Sequence, residues 1–230
     1  METLSGAASW LGAHPGTFFE AVGDHLLLSL VGLAIGIAIA LPLGIAVAQR
    51  PRLAEAAIAV AGALRTIPSL AVLAALLPLL GVGFTPSVVA LALLALPPVL
   101  VNTVTGLRGA DPAALEAARG LGMTPRQRAL RVELPLAAPL VFAGLRIAAV
   151  QVVSAAALAT FIGGGGLGDL VTQGLALLDT GRMLVGAVAI ALLALGTEAG
   201  FGLLERRQQR IAGGMTPTGE QSSTARVLGA

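Results

Sequence analysis

Four stretches of this chain stay apolar for the thickness of a membrane. His25–Ala48, Pro86–Leu107, Leu136–Ile162 and Met183–Leu204 each run for at least 22 residues with at most one charged side chain. A helix of about 20 such residues crosses the roughly 30 Å hydrocarbon core of a bilayer. A fifth apolar region, Leu53–Val82, is 30 residues long and is interrupted by Arg65 and Pro68. Cut at Pro68, it leaves two pieces of about 15 residues, each too short to span alone. The pattern therefore predicts one span, chiefly Ile67–Leu80, entered through an oblique helical stretch from Leu53. The expected fold class is an all-α polytopic membrane bundle of about five helices, with six as the alternative count.

Composition removes the soluble alternatives. Of 230 residues, 56% are apolar and only 11% charged, against about 25% charged in soluble domains. The mean hydropathy of +0.91 agrees. The chain has no cysteine, which excludes disulfide frameworks, thiolate metal sites and cysteine nucleophiles. All 14 basic residues are arginine, for a net charge of +2. They lie in short inter-helix segments and not in a stripe, so nucleic acid is not an expected partner.

Arginine placement orients the spans, because short Lys/Arg-rich loops stay cytoplasmic. With the N-terminus outside, the cytoplasmic segments collect Arg50, Arg52, Arg108, Arg119, Arg126, Arg128, Arg131, Arg206, Arg207 and Arg210, and the outer ones only Arg182. Residues 1–24 carry Glu2, Glu20 and Asp24 and no Lys or Arg. They lack the basic region of a signal peptide and read as an extracytoplasmic N-terminal segment. The membrane-spanning body is expected over 25–207. Residues 208–230 are polar and unpatterned and read as a disordered cytoplasmic tail.

Small residues recur at helical spacing. Gly32 with Gly36, and Gly196 with Gly200, form small-xxx-small pairs of the kind that let membrane helices approach closely. Ionisable groups in or near spans are few. Arg146 and Glu198 read as snorkelling anchors near the cytoplasmic boundary, and Arg65 as a member of a structural ion pair. Asn102, Gln151 and Ser154 either line a path or make interhelical hydrogen bonds.

The longest interior hydrophilic stretch, residues 108–135, faces the cytoplasm in this orientation. Asp111-Pro112 opens a short helix, with Asp111 as cap and Pro112 in the first turn. Gly122 is placed to end it. A second short helix starts at Thr124-Pro125, with Thr124 as cap, and Pro135 marks the start of the next span. A polar helix–Gly–helix elbow of this kind suits docking into a partner's groove, with Glu116 as a charged handle. A plain connecting loop is the alternative.

Glu116-Ala117-Ala118, three residues, Gly122, nine residues, then Val132-x-Leu134-Pro135 resembles the EAA loop of ATP-binding-cassette importer permeases, with Val132 in place of the usual isoleucine. Leu41-Pro42-Leu43-Gly44, Thr66-Ile67-Pro68-Ser69-Leu70 and Gly163-Gly164-Gly165-Gly166-Leu167-Gly168 extend the resemblance to the methionine-type permease fold. More narrowly, they resemble its osmoprotectant branch, which carries glycine betaine, choline or carnitine. The resemblance covers roughly residues 20–205. It implies a transport subunit, not an enzyme. A cytoplasmic ATPase dimer would dock on the elbow (Glu116, Ala117, Ala118, Gly122, Val132, Leu134, Pro135). A second permease subunit, the same or similar, and an extracytoplasmic substrate-binding protein would complete the assembly in the cell membrane. Pro68, Ser69, Asn102, Gln151, Ser154 and Gly163–Gly166 are the candidates for gate or path.

No cofactor is expected in this chain. A Gly-x4-Gly-Lys-Ser/Thr loop cannot occur without lysine, so ATP belongs on another polypeptide. Quaternary ammonium recognition normally uses an aromatic cage. Here Trp10 precedes the first span, there is no Tyr, and the six Phe are scattered. Selection is therefore expected in the separate binding protein. Three other readings compete. An intramembrane hydrolase lacks Gly-x-Ser-x-Gly, and both histidines, His14 and His25, lie at the outer end. A secondary transporter lacks paired acidic residues at mid-span. The same permease class importing methionine or another small polar solute remains open.

Overall fold

The computed structural model describes residues 2–213, with side chains placed for 3–204. All regular elements among the described residues are helical: α1 (Glu2–Ala13), α2 (Pro15–Ala48), α3 (Pro51–Thr66), α4 (Ser69–Leu80), α5 (Phe84–Arg108), α6 (Pro112–Gly120), α7 (Pro125–Arg128), α8 (Leu134–Ala156), α9 (Leu167–Ala176) and α10 (Thr180–Gly213). A π-helical turn (Ala129–Glu133) joins α7 to α8, and a 3-10 segment (Ala157–Ile162) extends α8.

α5 is the centre of the bundle, packed between α2 and α8, while α10 lies outside on α8 and α9. Four helical stretches are long and apolar enough to cross a membrane, and the bent α3–α4 pair makes five if counted as one span. The α2–α5 seam depends on absent side chains. A Cβ on Gly32 would stand 2.7 Å from Leu91 Cβ, and one on Gly36 would stand 2.9 Å from the Ala92 carbonyl. The other small-residue pair does not pack: a Cβ on Gly196 or Gly200 would meet nothing within 4 Å. Spacing identifies a face that permits close approach, and it does not supply the neighbour.

The fifth apolar region is broken sharply. α3 and α4 meet at 93°, and at 1.5 Å per residue they are only about 24 Å and 18 Å long. Pro68 is the cause. The residue before a proline is driven out of the helical region, and Ile67 is extended, at φ −77° and ψ 122°.

Elsewhere the sequence expectation shifts. Pro135 does not begin a new span, because one helical stretch runs from Pro125 to Ile162. Proline removes a helical N–H and crowds the preceding turn, and the π turn immediately before it relaxes that turn. The segment 1–24 is helical: α1 folds back on α10, and α2 starts ten residues before His25. α9 was not anticipated. α10 is described as far as Gly213, so the tail boundary at residue 208 falls inside a helix. Residues 214–230 lie outside the described residues.

Candidate functional site

The elbow is built from local chemistry. Asp111 Oδ1 accepts the Ala113 N–H at 2.9 Å and caps α6. At the other end Gly122 takes φ +72°. Its N–H reaches the Arg119 carbonyl at 2.9 Å, and the Met123 N–H reaches the Ala118 carbonyl at 3.2 Å. This paired closure satisfies the last carbonyls of α6 and uses a left-handed residue that glycine adopts without penalty. Thr124 and Gln127 then form a reciprocal capping box on α7. On the finished elbow Glu116, Ala117 and Gly122 are exposed and Ala118 is buried. Val132 and Leu134 are half-buried, and Pro135 is exposed. Two large apolar side chains, Leu121 and Leu130, also face outward.

Its root holds a residue the sequence reading passed over. Glu133, the unspecified position between Val132 and Leu134, is buried. Its Oε1 accepts from Arg128 Nε at 2.7 Å, and its Oε2 accepts from Gln49 Nε2 at 2.6 Å. Gln49 is the cap residue at the end of α2, so one carboxylate ties the elbow to a long core helix. A buried carboxylate needs partners of this kind to stay charged. The signal available in the sequence was an acidic residue inside an otherwise apolar helical entry.

A second polar feature lies at the α3–α4 break. A cleft of about 470 Å³ is lined by Arg65, Pro68 and Ser69 from the break, by Leu93, Leu94 and Pro97 from α5, and by Gln151 from α8, among apolar neighbours. It brings together three of the residues singled out as gate or path, Pro68, Ser69 and Gln151. Arg65 has no acidic partner among the described residues, so the expected structural ion pair is not found. Pro97 and Pro98 lie inside α5. Neither has an N–H, so the carbonyls of Leu93 and Leu94 lack their usual helical donors.

The remaining candidates fall elsewhere. Asn102 donates to the Pro98 carbonyl of its own helix at 2.8 Å and sits where α5 crosses Gly144 of α8. Ser154 is exposed on α8. Gly163, Gly165 and Gly166 all have positive φ, and a Cβ on Gly164 would stand 2.8 Å from Ala159 Cβ and overlap Ser87 Oγ. The glycine run is thus a tight turn pressed against α2 and α5. The turn is fastened by Thr160 donating to Asp169. His25, beside Gly166, is fully buried, and its Nε2–H donates to the Val153 carbonyl at 2.9 Å. Arg146 and Glu198, read separately as anchors, instead pair with each other at 2.6 Å between α8 and α10. Trp10 stacks on His14, with Arg182 over its ring at 5.5 Å, so its faces are taken by the protein's own side chains.

The apolar helices, the central α5 and the broken α3–α4 pair define a multi-pass helical membrane protein. The family model described as binding-protein-dependent transport system inner membrane component matches residues 32–210, and the chain belongs to that family. Relatives include the carnitine transport permease protein OpuCB of Listeria monocytogenes, 43% identical over 83% of this chain and 91% of its own length. The choline transport system permease protein OpuBB of Bacillus subtilis is 40% identical over 86% of this chain and 88% of its own. In structure the chain is similar to one from the MetNI methionine ABC transporter in an inward-facing conformation. That match has a TM-score of 0.76 and 23% identity, over 83% of this chain and 95% of that one. At that identity the likeness speaks for the fold. The chain is a permease component of a binding-protein-dependent transport system.

Proposed function

We propose that this chain forms half of the translocation path of an ATP-driven importer of osmoprotectants, carrying glycine betaine, carnitine or choline. The observation that carries the substrate class is identity to permeases named for those compounds. It stands at 38% over 93% of this chain and 95% of the relative for the glycine betaine/carnitine/choline permease OpuCB of Bacillus subtilis. A second permease, identical or similar, supplies the other half.

In this reading an ATPase dimer docks on the elbow. Glu116 is its charged handle, Ala117 and Ala118 allow close approach, Gly122 sets the bend, and Val132, Leu134 and Pro135 lead into the span. The exposed Leu121 and Leu130 supply apolar surface of the kind an interface covers. The arginine-rich elbow faces the cytoplasm with the C-terminus, and the N-terminus lies outside, where a substrate-binding protein delivers its load. ATP is bound and hydrolysed on the partner subunits.

The test is uptake of labelled glycine betaine and choline into proteoliposomes containing this chain, its ATPase, its binding protein and any second permease. ATP-dependent accumulation that Glu116→Lys abolishes is the expected result. ATP hydrolysis stimulated by the binding protein, with no uptake of either compound, overturns the substrate class and leaves the transport class standing.

A further inference from the structure

The cleft at the helix break has a composition that lipid-facing grooves lack. Three helices contribute one polar side chain each: Arg65 from α3, Ser69 from α4 and Gln151 from α8. None of the three has a side-chain hydrogen bond or ion pair among the described residues, and Gln151 is half-buried. The break adds backbone groups of both signs. Of the first N–H groups of α4, those of Ala71 and Val72 close on the Pro68 carbonyl, while those of Ser69 and Leu70 have no intrahelical acceptor, and Pro68 offers no side-chain cap. Across the cleft the proline pair of α5 leaves the Leu93 and Leu94 carbonyls without their helical donors.

Depth agrees with a path. Ser69 is about 17 Å along α4 from Leu80, and Pro97 about 20 Å along α5 from Phe84. Both distances run from the end at which the Gly83 N–H meets the Ile162 carbonyl. Set against a hydrocarbon layer of roughly 30 Å, these contour distances put Ser69 and Pro97 inside it, where uncompensated polarity is costly, while Arg65, on α3, is exposed. One end of the cleft offers a guanidinium and free N–H groups, and the facing wall offers carbonyl oxygens.

We propose that this cleft is a substrate subsite for a zwitterion. The carboxylate lies against Arg65 and the start of α4, and the ammonium end faces the α5 carbonyls and Gln151. The proposal rests on the osmoprotectant reading above and sharpens it. Glycine betaine and carnitine carry both charges, whereas choline has no carboxylate and gains nothing from Arg65.

The experiment compares glycine betaine and choline uptake in the reconstituted complex for the natural chain, Arg65→Gln, Arg65→Lys and Gln151→Leu. ATPase activity stimulated by the binding protein serves as the control for assembly. Loss of a charge-assisted hydrogen bond predicts a fall of about tenfold in betaine uptake for Arg65→Gln. Choline uptake should hold or rise, Arg65→Lys should keep most betaine uptake, and stimulated ATPase should persist. For Arg65→Gln, an equal fall for both compounds or unchanged betaine uptake overturns the subsite, as does a natural chain that moves choline and no betaine. Should Arg65→Gln fail to insert, Gln151→Leu decides at the ammonium end, which both compounds share: a fall in both with stimulated ATPase retained supports the subsite, and unchanged uptake or a fall in one compound alone overturns it. If the natural complex moves neither compound, the osmoprotectant reading itself fails, and the zwitterion proposal falls with it.

Discussion

Glu133 holds Arg128 at 2.7 Å across five residues of sequence, with only 5% of the Glu133 side chain and 19% of the Arg128 side chain exposed. The pair closes the π turn between the elbow and α8. The other carboxylate oxygen binds Gln49, 84 residues away. Force applied to the elbow therefore meets α2 and α8 through one side chain.

Removing that carboxylate should be costly, because it strands a mostly buried guanidinium. We expect Glu133→Ala to lower stability by about 3 kcal/mol and Glu133→Gln by less, since an amide can still accept. Thermal unfolding of the purified complex would measure this. Equal melting temperatures for the natural and Ala proteins would contradict the account.

Gly122→Pro should abolish uptake without preventing insertion. Proline holds φ near −65°, whereas Gly122 sits at +72°, and proline also deletes the N–H that closes on Arg119. Gly122→Ala retains the N–H and faces only the left-handed penalty, about 1–2 kcal/mol. Uptake alongside a membrane-fraction assay separates the two, and normal uptake by a stably inserted Gly122→Pro protein would sink the elbow's coupling role.

The glycines give a paired prediction. Gly164→Ala must displace both Ser87 and Ala159 and should destabilise by about 1–3 kcal/mol, as overpacking does. Gly196→Ala meets open space within a helix and should be neutral or stabilise by up to about 1 kcal/mol. Melting curves of the two variants in the same detergent would show opposite or clearly unequal shifts.

Removing Arg146 alone should be worse than removing Arg146 and Glu198 together. Arg146→Met strands the Glu198 carboxylate, which costs up to about 2–3 kcal/mol within a span, whereas replacing both partners leaves no charge behind. Arg146→Met, Glu198→Leu and the double variant form a cycle read by thermal stability. A double variant no more stable than Arg146→Met alone would show that the 2.6 Å pair contributes little.

Much of this protein was legible from one-dimensional information, for physical reasons that are themselves local. Crossing hydrocarbon demands a length of apolar chain, so the spans were readable. Pro68 displaces its own neighbour Ile67, so the break was readable too, though its 93° angle was not. Asp111, Gly122 and Thr124 act on groups within six residues, and their caps follow from residue type. What tertiary structure alone decided were the partners at long sequence range. Glu133 with Gln49, Arg146 with Glu198, the absence among the described residues of an acid paired with Arg65, and the empty space around Gly196 all depend on which helix lies alongside. An apolar pattern states that a face is buried or lipid-exposed without naming its neighbour. In lipid, where apolar surface contributes little to choosing one helix partner over another, the shapes and polar groups that decide the choice become visible only in the assembled fold.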